Sequence, residues 1–151
     1  MRISQRLPSE DYVGPLAAHV TIVTRERLRL FEEDELASIC LTAIQKSVSA
    51  YDAQLHAYCL MPDHVHLLIE IPEGISLERV VHHLKTTSGY AIKQITGFSA
   101  WQTSYYDHIL RREEALDDVA RYIWSNPVTA GLVDDAGAYA WSGPREAFVQ
   151  A

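Results

Sequence analysis

Residues 58–71 read YCLMPDHVHLLIEI, two apolar runs on either side of a Met-Pro-Asp turn. Apolar runs bounded by turn residues are typical of β-strands, so this stretch predicts a hairpin with strands at 54–60 and 64–71. Side chains alternate along a strand, so one face of the second strand is wholly aliphatic and should pack on helices. The opposite face carries two imidazoles, at His64 and His66. This strand therefore guides both the fold prediction and the search for a functional site.

The flanking segments extend the hairpin into a sheet. Residues 16–23, LAAHVTIV, predict a first strand, and residues 105–110 predict a short last one. Apolar residues at helical spacing predict helices at 34–48 and 76–95, and Ser76 is expected to cap the second. The order strand, helix, strand, strand, helix, strand is the split βαβ, or ferredoxin-like, arrangement. The predicted class is α+β, with an antiparallel sheet that carries two helices on one face.

An additional C-terminal helix is predicted at residues 113–125. Pro127 is expected to end it, because the residue before a proline avoids the helical region. Tyr122 and Asn126 are four residues apart and therefore share one face. A phenol can act as a covalent nucleophile, and an amide oxygen can bind Mg²⁺ or Mn²⁺. The alternative interpretation is that Tyr122 borders an amphipathic stripe and Asn126 caps the helix.

The two histidines lie roughly 7 Å apart along the strand, close enough for both rings to converge on one ion. Neutral imidazole is the commonest metal ligand in proteins. A metal site needs a third ligand from another segment, and without one His64 and His66 are simply half-exposed strand positions. His19 and His56 also lie on predicted strands, where the sequence suggests no partner for either.

The composition is that of an ordinary globular protein, with 48% apolar and 22% charged residues in 151. We expect one domain over residues 1–151, no membrane span, and no signal peptide in residues 1–15. Cys40 and Cys59 fit neither a metal spacing nor a disulfide framework, so a cytoplasmic location is predicted. The net charge of −7 disfavours a nucleic-acid partner, but residues 77–112 are locally basic.

Three segments in this order resemble a known family. They are MPDHVHLLIE, YYDHILRR and RYIWSNPVTAGLV, and the NPVTAGLV run is the most specific. The sequence is similar to the single-tyrosine HUH transposases of mobile elements, and in particular to REP-associated tyrosine transposases. The HUH motif is His64, Val65 and His66. The resemblance implies that Tyr122 is the nucleophile and that Asn126 supplies the third metal ligand.

The resemblance also implies a reaction and its partners. A divalent cation, Mg²⁺ or Mn²⁺, would assist transesterification through a 5′-phosphotyrosine intermediate on hairpin-forming single-stranded DNA, with no small-molecule substrate. The protein is expected to form a homodimer, because some relatives exchange the tyrosine helix between subunits. His108, in the YYDHILRR segment, is either adjacent to the site or structural. The candidate DNA-contacting residues are all basic and comprise Lys85, Lys93, Arg111 and Arg112.

Two other functions remain open at this point. The first is a domesticated protein of the same fold that binds hairpin DNA without transposition activity. The second is a metallohydrolase in which His64 and His66 hold zinc. The barrel hydrolases with this histidine pattern usually need about 250 residues, more than this chain has. Transfer of DNA to Tyr122 is what distinguishes the transposase from both.

Overall fold

The computed structural model describes residues 9–148. Residues 1–8 and 149–151 of the predicted domain lie outside the described residues, and so does most of the N-terminal segment 1–15, for which no signal peptide is predicted. The main elements follow in chain order: β1 (Leu16–Val23), α1 (Asp34–Ala50), β2 (Gln54–Met61), β3 (His64–Ile71), α2 (Leu77–Thr96), β4 (Tyr106–Ile109), α3 (Leu116–Thr129) and β5 (Ser142–Gly143).

The five strands form one antiparallel sheet in the order β4-β1-β3-β2-β5. The first four strands have the order of the ferredoxin-like fold, so the predicted α+β class is confirmed. The predicted hairpin is also present, since β2 and β3 are joined by a two-residue turn at Pro62 and Asp63. In this register the central strand β3 lies between β1 and β2, and it carries both histidines.

One face of the sheet packs on α1 and α2. The aliphatic side chains of β3 on this face are buried together with residues of both helices; they are Val65, Leu67, Ile69 and Ile71. The cap of α2 forms as predicted, because the Ser76 hydroxyl accepts a hydrogen bond from the Arg79 N–H at 3.2 Å. Gly97 ends the helix in the left-handed conformation, with φ of 83°. This face is a conventional apolar core.

The other face of the sheet is covered by α3. Ala120 and Ile123 are buried against apolar side chains of β2 and β3, namely Ala57, Cys59, Met61 and Leu68. The prediction that Pro127 ends this helix is wrong, because Pro127 lies inside it and is buried. Proline has no N–H to offer the carbonyl of Ile123, and the Nδ2 of Asn126 donates to that carbonyl at 3.2 Å instead. The helix therefore continues past the proline to Thr129.

Within residues 9–148, every helix is too short or too polar to cross a bilayer.

Candidate active site

The strand β3 presents His64 and His66 on the face that α3 covers. Their ring centroids are 4.8 Å apart and the rings are nearly perpendicular, with an interplanar angle of 86°. His66 is buried, with 7% of its surface exposed, whereas His64 at the start of the strand is half-buried. The alternation of the strand thus brings both imidazoles together beneath the C-terminal helix, as the sequence predicts.

The ring of His64 is held by the hairpin turn. Its Nδ1 lies 2.7 Å from Oδ1 of Asp63, whose other carboxylate oxygen accepts a hydrogen bond from Nη1 of Arg27 at 3.2 Å. Burial opposes ionisation of Asp63, but His64 and Arg27 together hold its pKa below the ordinary value. A carboxylate at Nδ1 keeps the proton on that nitrogen, so Nε2 of His64 has a lone pair available for a metal.

The ring of His66 is held by β1. Its Nδ1 lies 3.0 Å from Nε2 of His19 and 3.2 Å from Oγ1 of Thr21. Burial, reinforced by the neighbouring imidazoles of His64 and His19, lowers the pKa of His66 to about 3. The imidazole is therefore neutral near pH 7, which is the protonation state that a metal ligand requires.

Tyr122 lies at the border of α3 and the sheet. Ala120 and Ile123 point into the sheet, and this orientation leaves the Tyr122 side chain 58% exposed. Its ring contacts His19 edge-on, with centroids 5.9 Å apart and an interplanar angle of 70°. The His19 ring is 5.2 Å from that of His66. Within a single chain, the phenol is thus joined to the histidine pair through one intervening imidazole.

Asn126 lies one helical turn beyond Tyr122. Its Nδ2 donates to the carbonyls of Tyr122 and Ile123, at 3.0 and 3.2 Å. Neither bond engages Oδ1, which is the atom that a metal would use. In the described part of the chain, no three His, Cys, Asp or Glu side chains are arranged to hold a metal ion. Imidazole nitrogens and an amide oxygen are nevertheless ligand types that a divalent cation accepts in proteins.

Two residues that contact the histidine pair, His19 and Asp63, were not identified from the sequence. The sequence suggested no partner for His19 or His56, and the structure supplies both: His19 bonds His66, and Nε2 of His56 lies 2.8 Å from Oε1 of Glu70. Burial and the charge of His108 lower the pKa of His19 to about 4. The available signal was the alternation of LAAHVTIV, but the pairing of β1 with β3 is needed to bring His19 to His66.

His108 lies on the edge strand β4, opposite His19 of β1. Its Nε2 is 3.0 Å from both carboxylate oxygens of Glu114, just before α3. It therefore neighbours the cluster through His19 and also ties β4 to the segment that leads into the tyrosine helix. This geometry fits both roles that the sequence left open for His108, a residue adjacent to the site and a structural residue.

The predicted DNA-contacting residues are divided between two regions. Lys85 and Lys93 line a groove of about 920 Å³ between α2 and residues 99–105. This groove adjoins the helix pair, on the other side of the sheet from Tyr122. The ammonium of Lys85 donates to the carbonyls of Gln102 and Thr103 at 2.8 and 3.2 Å, and burial lowers its pKa. The other two candidates, Arg111 and Arg112, are exposed just after β4.

The sequence of this chain is similar to those of transposases. The family model described as "Transposase IS200 like" matches residues 12–126, a span that includes His19, His64, His66 and Tyr122 and ends at Asn126. A Haemophilus influenzae protein assigned as a REP-associated tyrosine transposase is 27% identical over 126 residues. The matched region covers 76% of this chain and 71% of that protein.

Solved structures share the fold. A REP-associated tyrosine transposase bound to a REP hairpin superposes with a TM-score of 0.79 at 21% identity, covering 97% of this chain and 84% of that one. A crystal structure of a Deinococcus radiodurans R1 protein assigned as a transposase gives a TM-score of 0.57 at 23% identity. That match covers 82% of this chain and 95% of the Deinococcus chain.

Proposed function

This chain belongs to the IS200-like transposase family, and from that premise we propose that it cuts and rejoins single-stranded DNA through Tyr122. The observation that carries the proposal is the row of rings Tyr122, His19, His66 and His64, in which each ring contacts the next. The row begins at the exposed phenol of Tyr122 and ends at the buried ring of His66 and the half-buried ring of His64. An accessible nucleophile beside potential metal ligands is the arrangement that phosphoryl transfer needs.

In the proposed cleavage step, the phenolic oxygen of Tyr122 attacks a DNA phosphorus in line with the bond to the 3′ oxygen. The new bond joins Tyr122 to the 5′-phosphate of the downstream fragment, and the phenol loses its proton. The departing 3′ oxygen keeps the bonding electrons and takes up a proton to become a hydroxyl. A 3′-hydroxyl from the same or another strand can reverse the step, so rejoining needs no nucleotide cofactor.

We propose that His64, His66 and Asn126 hold a divalent cation, Mg²⁺ or Mn²⁺. When bound, such an ion supplies Lewis-acid stabilisation of charge on the phosphate. The chain itself contributes the orientation of both rings: Asp63 fixes His64, and residues of β1 fix His66. The half-exposed position of Tyr122 leaves room for a DNA strand to approach from solvent.

The proposed substrate is single-stranded DNA that folds into a hairpin. The structural relative at TM-score 0.79 is bound to a REP hairpin, and the same class of ligand is proposed here for a chain of the same fold. The proposed active site is assembled in cis, because Tyr122 contacts His19 of its own chain. Dimerisation remains a prediction of the sequence, and the geometry of this site does not depend on it.

The test is trapping of the covalent intermediate. The substrate is a pool of single strands that form a hairpin with randomised flanking segments, labelled at the 3′ end. It is incubated with the protein and Mn²⁺, and the products are resolved on a denaturing protein gel. The label must be at the 3′ end, because a 5′-phosphotyrosine retains the downstream fragment. We expect a labelled protein band that disappears in Tyr122→Phe and with excess EDTA. The matched control is Tyr90→Phe, since Tyr90 is also exposed but lies on α2.

The same experiment separates the two alternatives. Hairpin binding without any labelled band in the wild-type protein would indicate the domesticated DNA-binding protein. Metal-dependent cleavage that persists in Tyr122→Phe would indicate a hydrolase that activates water at the histidine pair.

A further inference from the structure

His19 occupies the only position in the ring row that touches both the proposed nucleophile and a proposed metal ligand. From this position we infer that His19 is a positioning residue, which holds His66 in the tautomer that binds metal and supports the ring of Tyr122. The inference rests on the proposed function and adds to it a residue that neither coordinates the ion nor attacks the DNA. Its basis is a hydrogen bond and two ring contacts.

The placement of His19 follows from strand register. In the β1–β3 ladder, Thr21 pairs with His66 and His19 pairs with Leu68, so all four side chains share the face beneath α3. His19 and His66 are therefore diagonal neighbours across the two strands. Nε2 of His19 is directed at Nδ1 of His66, the nitrogen on the far side of the ring from Nε2. A residue in this location orients the ligand but does not compete for the ion.

The direction of the hydrogen bond decides whether His66 can bind a metal. If His66 carries its proton on Nδ1, it donates to His19 and keeps the Nε2 lone pair for the ion. If His19 donates instead, the proton of His66 sits on Nε2 and blocks coordination. The metal-binding state thus requires Nε2 of His19 to accept this hydrogen bond, so the ring proton of His19 lies on its Nδ1.

The two proposed ligands are supported by different chemistry. Nδ1 of His64 faces the carboxylate of Asp63. An ionised carboxylate accepts hydrogen bonds and donates none. Nδ1 of His66 faces an imidazole and the hydroxyl of Thr21, each of which can either donate or accept. The orientation of His66 is consequently the one that depends on the tautomer of its neighbour. Replacement of His19 should therefore affect metal binding even though His19 is not a ligand.

The test compares two substitutions of similar size. His19→Gln retains an acceptor near the position of Nε2, whereas His19→Leu fills the same space without one. Mn²⁺ is titrated into each protein without DNA, and free Mn²⁺ is followed by electron paramagnetic resonance. Loss of an outer partner of a metal-bound histidine typically weakens metal affinity about 10–100-fold. We expect a loss in that range for His19→Leu and recovery of most of it in His19→Gln, with similar melting temperatures for the two variants.

Equal Mn²⁺ affinity in His19→Leu and the wild-type protein would overturn the inference and leave the proposed function intact. A wild-type protein that binds no Mn²⁺ at all would overturn both. If His19→Leu does not fold, the wild-type protein alone still decides the question through imidazole ¹⁵N spectra recorded with Mg²⁺. The expected result is a proton on Nδ1 of both His19 and His66; a proton on Nε2 of His19 would contradict the inference.

Discussion

Both faces of the central strand β3 are covered, but the residues that cover them differ in chemical character. Leu67 and His66 are neighbours on β3 with 1% and 7% of their surfaces exposed. Leu67 packs among aliphatic side chains of α1 and α2, whereas His66 contacts the imidazoles of His19 and His64 and the hydroxyl of Thr21. Burial of Leu67 stabilises the fold. Burial of His66 keeps an imidazole neutral and orients it. One strand therefore contributes a core on one side and a site on the other.

The helices on the two faces differ in the same way. The helices α1 and α2 run for 17 and 20 residues and bury continuous stripes against the sheet. The helix α3 has 14 residues, and those buried along it are Ala120, Ile123 and Pro127. A helix attached through so few buried side chains can present a half-exposed Tyr122 without exposing the core. We therefore expect substitutions on the α3 face to affect chemistry and those on the α1–α2 face to affect stability.

The largest expected effect is on activity, from His64→Ala. If the bound ion contributes several kcal/mol to cleavage, losing a ligand should reduce formation of the Tyr122 adduct by about 10³-fold or more. The half-buried position of His64 predicts little change in the free energy of unfolding, measured by urea titration. Adduct formation at the wild-type rate in His64→Ala would show that this face does not carry the chemistry.

The next largest effect is a loss of stability without a loss of activity, from Leu67→Ala. Truncating a fully buried leucine removes apolar contacts and leaves a cavity, which should lower the free energy of unfolding by about 2–5 kcal/mol. At a temperature where the variant is folded, its adduct yield per folded molecule should match that of the wild-type protein. A Leu67→Ala protein of wild-type stability, or one that is folded but inactive, would contradict the division between the two faces.

Acid should destabilise the α3 face specifically. The pKa values of His19 and His66 are lowered from 6.5 to about 4 and about 3, so the unfolded chain binds protons first as the pH falls. Stability is therefore full above pH 6.5 and is lost progressively down to about pH 4 for His19 and about pH 3 for His66, by about 1–2 kcal/mol per ring at pH 5. Urea titrations at pH 7 and pH 5 in EDTA should show a smaller loss for His19→Gln. An identical loss in the variant would mean that His19 does not titrate as its burial predicts.

The smallest expected effect comes from Lys93→Ala in the groove beside α2. If DNA contacts this groove, loss of one exposed ammonium should weaken hairpin binding only a few-fold and lower the salt dependence of binding by about one phosphate contact. Adduct formation per bound hairpin should not change, because the groove and Tyr122 lie on different sides of the sheet. Fluorescence anisotropy over a range of salt concentrations measures this, and an unchanged salt slope would exclude Lys93 as a contact.

The fold was largely predictable because its signals are local. The bounds of β1 and β3, the cap at Ser76 and the stop at Gly97 all follow from alternation or turn chemistry within a few residues. Pro127 misled the prediction because the compensating donor is a side chain, Asn126, whose bond to Ile123 a propensity rule does not include.

The site was predictable only in part, for a related reason. His64 and His66 share one strand, so their proximity is local. The four-residue spacing of Tyr122 and Asn126 made them candidates, and the family resemblance implied their roles. His19 joins the cluster through pairing between β1 and β3, 47 residues apart, which no pattern within either strand specifies. Its importance could be recognised only after the register of the sheet was known.

The central claim is that the phenol of Tyr122 becomes covalently attached to DNA. The most direct measurement is tandem mass spectrometry of the trapped adduct after nuclease and trypsin digestion, which locates the residual nucleotide on one side chain. We expect a nucleotide joined through its 5′-phosphate to Tyr122, in the peptide that follows Arg121. A nucleotide on any other residue, or an adduct of equal yield in Tyr122→Phe, would contradict it.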